Sequence, residues 1–93
     1  MELYEIKNGL DKAHLLIDEY RKSAQIDEKL REIEGLSYQT MQDGFWDDPT
    51  KAKKIYDELN DMKKITDEYE SLCQSLNSLD ETYTLVKETD DQE

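Results

Sequence analysis

The reactive side chains of this 93-residue chain are lopsided: 24 Asp and Glu, one His and one Cys. So many carboxylates could hold a divalent cation or work as paired acid and base, provided that several converge with the right partners. A di-metal helical bundle needs buried Glu residues and a Glu-x-x-His step, and the residue three before His14 is Asp11. A zinc site needs three or four ligands, yet no Cys or second His stands at ligand spacing from His14. Cys73 falls on an apolar row, which marks a packed thiol rather than a reactive one. There is no Gly-rich phosphate loop, and no Ser–His–Asp or Cys–His order with supporting motifs. The expectation is therefore no catalytic residue, no cofactor and no metal ligand.

The basic residues are few but gathered: Lys51, Lys53, Lys54, Lys63 and Lys64 lie within fourteen positions of one another. Lys53 and Lys64 are eleven residues apart, nearly eclipsed around a helix. Weak i,i+4 pairing with Asp57, Glu58 and Asp61 accounts for such a cluster. The same side chains, Lys51, Lys53, Lys54 and Lys64, offer a small contact patch for an acidic partner.

Helices must position these groups. Ala52, Ile55, Leu59, Met62, Thr66, Tyr69, Cys73 (or Leu72), Leu76, Leu79, Tyr83 and Val86 keep a three–four spacing. That is a coiled-coil-like seam, predicting a helix from Pro49 to about Lys87, about 58 Å long at 1.5 Å per residue. Its start is a corner built from Phe45, Trp46, Asp48 and Pro49. Asp48 suits the N-cap, Pro49 the first helical position, and Gly44 the stop of the preceding helix. Phe45 and Trp46 are expected to tuck beneath the corner.

Upstream, Leu3, Ile6, Leu10, Ala13, Leu16 or Ile17, and Tyr20 line one helical face to about Lys22. Ile26, Leu30, Ile33, Leu36 and Thr40 or Met41 line a second, to about Gln42. Asp27 or Ser23 could cap this second helix, and the short connection favours an α-hairpin. A third helix of such length needs both shorter ones along it, or a second chain. The fold class expected is all-α: a three-helix antiparallel, coiled-coil-like bundle with helices at about 3–22, 27–42 and 49–87. It forms one domain over 1–93, with Asp90-Asp91-Gln92-Glu93 as a solvated tail.

Composition narrows the function. The chain is 39% charged and 35% hydrophobic, with a net charge of −12. Phosphate backbones and anionic lipid need clustered Lys and Arg, so direct nucleic-acid binding is not expected. A single Cys excludes an internal disulfide and fits a reducing, cytoplasmic setting. No apolar run could span a membrane, and the acidic opening Met1-Glu2-Leu3-Tyr4-Glu5 does not read as a signal peptide.

Residue chemistry ends at a helical interaction module; resemblance goes further. The run Gly44-Phe45-Trp46-Asp47-Asp48-Pro49-Thr50-Lys51-Ala52 is flanked by Ile33 and Leu36 and by Leu59-Asn60-Asp61-Met62-Lys63. With the opening Met1-Glu2-Leu3-Tyr4-Glu5-Ile6 and the Tyr20-Arg21 helix end, it resembles the N-terminal helical domain of bacterial class I peptide chain release factors, type 2 branch. The resemblance covers nearly all of the chain.

It implies a part in translation termination at UGA and UAA codons on the ribosome, through protein contacts near the stalk base and the partner translational GTPase. It implies no catalysis here. The family's Ser-Pro-Phe-type decoding tripeptide and Gly-Gly-Gln hydrolysis loop are missing, since Gly occurs only at 9, 35 and 44. The chain would then be a fragment of a longer factor or a short stand-alone relative. The alternative is a stand-alone acidic helical adaptor or nucleic-acid mimic that binds a basic protein surface. A reading frame running past Glu93 into Gly-Gly-Gln would favour the former, and a stop codon there the latter.

Overall fold

The computed structural model describes residues 2–91. Three α-helices and one short 3-10 turn make up the chain: α1 (Leu3–Ser23), α2 (Ile26–Thr40), the turn Phe45–Asp47, and α3 (Pro49–Asp91). The helices lie close to their expected places. α2 stops two residues earlier than the pattern suggested, and α3 runs on through Asp90 and Asp91, which were expected in a solvated tail. Gln92 and Glu93 of that tail lie outside the described residues, as does Met1.

Both short helices lie along α3, antiparallel to it. His14 of α1 meets Asp80, Tyr20 stacks on Tyr69, Gly35 and Leu36 of α2 border Met62, and Gln39 borders Ile55. As the position rises from 14 to 39 on one side, its partner falls from 80 to 55 on the other. α1 and α2 therefore follow each other end to end rather than folding back as a hairpin. At 1.5 Å per residue they reach about 32 and 23 Å, which together nearly match the roughly 65 Å of α3. The molecule measures 68 × 23 × 16 Å, with a radius of gyration of 19.9 Å, against about 12 Å for a compact domain of this length.

The break between α1 and α2 costs strain and is clamped. Gln25 sits in the left-handed region at φ 53°, unfavourable for a residue with a Cβ. Arg21 Nη2 reaches Asp27 Oδ1 across the break at 2.8 Å. Lys29 donates to the carbonyl of Ala24, placing a cation at the negative end of α1. Asp27 is thus a strut rather than a cap, and the Ser23 hydroxyl donates back to the Tyr20 carbonyl at 3.3 Å.

The core is a thin seam. Ile26, Ala52, Leu59 and Leu76 are buried, as is Thr66, whose hydroxyl donates to the Lys63 carbonyl at 3.2 Å. Half-buried Ile55, Met62, Tyr69, Cys73 and Tyr83 complete the row on α3. Of the open alternatives in the sequence, Ile17 and Cys73 take the seam; Leu16 and Leu72 are 65% and 51% exposed. Two predicted seam residues are displaced. Lys29 occupies the place expected for Leu30, and Asp80 that of Leu79, leaving both leucines, and Val86 with them, exposed. The total surface is 7383 Å², against about 5,600 Å² for a compact domain of this mass.

Candidate functional site

At the tip joining α2 to α3, Gly44 adopts φ 81°, which a side chain disfavours. The chain can then turn into Phe45–Asp47. Asp48 Oδ1 accepts a hydrogen bond from the Lys51 amide at 3.2 Å, and Pro49 opens α3. Phe45 is half-buried. Trp46 is not tucked beneath the corner: it is 61% exposed, standing edge-on to Phe45 with ring centroids 4.8 Å apart and 6.1 Å from Tyr56. The physical reason is the thinness of the hairpin. A two-helix cross-section offers the corner one sheltered side, and Phe45 takes it.

The lysines do not form one patch. The seam rows Ala52–Leu59–Thr66 and Ile55–Met62–Tyr69 set two edges of α3, because residues seven apart, about two turns, return to nearly the same face. Tyr56 and Lys63 flank the first row, with Lys53 and Lys64 beyond them. Lys51 flanks the second row beside Phe45 and Ile55, and Lys54 lies on the outer face, where it borders one surface depression together with Lys53, Asp57 and Glu58. Lys53 Nζ pairs with Asp57 Oδ2 at 2.7 Å, so the i,i+4 pairing expected there forms. Among the described residues, Lys51, Lys54, Lys63 and Lys64 make no such pair.

Two polar clusters in the distal half escaped sequence reasoning. His14 Nε2 lies 2.7 Å from Asp80 Oδ2, bridging α1 and α3 between half-exposed groups. The sixty-six positions separating them leave no local signal. About two to three turns further along, Tyr69 is influenced by Cys73 and Arg21. Hydrogen bonding with Cys73, then burial, raise the Tyr69 phenol above its usual range, opposed by the Arg21 charge. Asp27 holds the Arg21 guanidinium above its own usual value. No three of the His, Cys, Asp and Glu side chains among the described residues converge on a point a metal could occupy. Nor is any helix long and apolar enough to cross a membrane.

What this surface belongs to follows from sequence similarity. Residues 7–93 match the PCRF domain. The chain belongs to the PCRF domain family. Among curated relatives it is similar to peptide chain release factor 2 of Exiguobacterium sp. strain AT1b and of Staphylococcus aureus strain COL. Each is 33% identical over 93 residues, covering 100% of this chain and 25% of the relative. The factor of the same name from Staphylococcus saprophyticus is 30% identical over 92 residues, covering 99% of the chain and 25% of the relative. The PCRF chain therefore spans a quarter of the length of these relatives, and the resemblance to type 2 release factors holds along all of it. No solved structure matches it.

Proposed function

We propose that this chain serves translation termination as the non-catalytic helical domain of a type 2 peptide chain release factor. It works in the cytoplasm on ribosomes halted at UGA or UAA, making protein contacts near the stalk base and with the partner translational GTPase. The observation that carries this reading is end-to-end similarity to release factor 2 over 25% of that protein's length. Hydrolysis and decoding are left to the remaining length of such a factor. The geometry is consistent with a spacer-like arm: a 68 Å rod with a thin core and exposed Trp46 and Tyr56 near its tip.

A chimaera tests it. This chain replaces the matching quarter of the Staphylococcus aureus factor, and stop-codon-dependent release is measured on ribosomes carrying peptidyl-tRNA. Release at UGA and UAA within about tenfold of the parent is expected, with none from the 93-residue chain alone. A folded chimaera that leaves the peptide attached, or release by the chain alone, overturns the reading.

A further inference from the structure

Residues 65–86 of α3 hold five carboxylates and no Lys or Arg. Asp67, Glu68 and Glu70 stand at one end, Asp80 and Glu81 towards the other. Between them runs Ser71–Leu79, nine residues without a charge in a chain that is 39% charged. Here, in the half of the rod formed with α1, Leu72 and Leu79 stand exposed, as do Val86 and Leu16 of α1. Two contacts place these four on one edge. Tyr20 stacks on Tyr69. Leu16 precedes Tyr20 by four residues and Leu72 follows Tyr69 by three, so each lies beside its tyrosine. Because the helices are antiparallel, both steps lead the same way along the rod. The second contact fixes the other side of the seam, where His14 meets Asp80. His14 stands about 160° around α1 from Leu16, and Asp80 lies across the Tyr69 row from Leu72 and Leu79. Leu72, Leu79 and Val86 recur every seven residues, which returns each to nearly the same face.

We propose that this edge, Leu16, Leu72, Leu79 and Val86, docks a basic amphipathic helix of a partner protein. Its apolar face lies on the leucines and its Lys or Arg side chains reach the flanking carboxylates. The inference rests on the reading of this chain as a protein-binding arm and names the chemistry of one partner. A helix fits because its own heptad presents apolar side chains at the same interval of about 10.5 Å. Leu72 also borders a shallow depression with Ser71 and Ser75, whose small side chains leave room for close approach; Lys64, Asp67 and Glu68 complete its rim. The sign of the charge follows from both helices together. α1 (Leu3–Ser23) and the stretch Ile65–Asp91 carry twelve carboxylates against five Lys and Arg, whereas residues 25–64 carry ten against seven. Three of those five are already paired, Lys7 with Asp11, Lys22 with Asp18 and Arg21 with Asp27. A second copy would set this acidic excess against itself, and anionic lipid or nucleic acid is repelled by it.

The full chain is titrated against a dye-labelled helical peptide with a leucine face flanked by lysines, read by fluorescence anisotropy. A peptide with the same face flanked by glutamates probes charge, and a scrambled lysine–leucine peptide probes pattern. Expected is saturable binding of the first, with the other two weaker by about tenfold or more. L16S/L72S/L79S, altered at exposed positions, should weaken it about tenfold. E19K/E68K, which keeps the leucines, should weaken it severalfold. Y38S/M41S, altered at exposed positions in the other half, should bind like the parent; circular dichroism checks that every variant stays helical. No saturable binding, equal weakening in the two serine variants, unchanged affinity in E19K/E68K, or equally tight binding of the glutamate peptide overturns the proposal. So does sedimentation of a dimer that L16S/L72S/L79S dissolves, which makes a second copy the occupant. A chimaera active in release yet unable to take the peptide assigns the edge to the factor's own remaining length, which removes this partner and keeps the termination role.

Discussion

The two halves of α3 follow one spacing rule and are built to different standards. The half paired with α2 buries Ile26, Ala52 and Leu59 almost completely, with Thr66 at its end. The half paired with α1 buries Leu76 alone among apolar residues. Its other seam places go to Cys73, Asp80 and Tyr83. Local propensity differs as well. The Thr82, Thr84 and Thr89 hydroxyls donate to carbonyls four residues back, a bond that slightly weakens a helix. A regular apolar row thus sets direction along the rod without setting how tightly each level packs.

The strongest challenge to this contrast is a matched pair of truncations. Leu59→Ala should cost about 3 kcal/mol in denaturant unfolding, and Leu76→Ala clearly less, because the looser wall around Leu76 can collapse into the gap. Equal losses would erase the difference between the halves. Asp48→Ala removes the cap that starts the tight half and should cost about 1 kcal/mol; an unchanged thermal midpoint would mean that the Lys51 amide finds water instead. Helix glycines sharpen the picture from the other side. A Cβ at Gly9 or Gly35 meets nothing within 4 Å, so Gly9→Ala and Gly35→Ala should each stabilise by about 0.5–1 kcal/mol. The gain should appear in hydrogen exchange of the distal half for Gly9 and of the tight half for Gly35. Smallest is Trp46→Ala, expected within about 0.5 kcal/mol of the parent despite the size of the side chain. A loss of several kcal/mol would return the indole to the interior.

Much of the architecture is legible along the chain because its signals are local. The three–four spacing from Ala52 to Leu76, the Asp48–Pro49 start and the need for Gly44 at a left-handed turn depend only on neighbouring residues. So does the Gly44–Ala52 run that carries the family resemblance. What the sequence could not decide is which of two adjacent residues takes a seam place, as with Leu79 and Asp80, since both lie near the same broad face. Asp80 enters because His14 waits across the interface. Lys29 enters because the break between α1 and α2 leaves the Ala24 carbonyl in need of a donor. The end-to-end course of α1 and α2 is also tertiary: a short connection suits a hairpin as well as a bend, and the length of α3 rewards the bend. Trp46 stands in solvent for the same reason. A rod two helices thick has little interior to offer, and that thinness is a property of the assembled fold rather than of any residue in it.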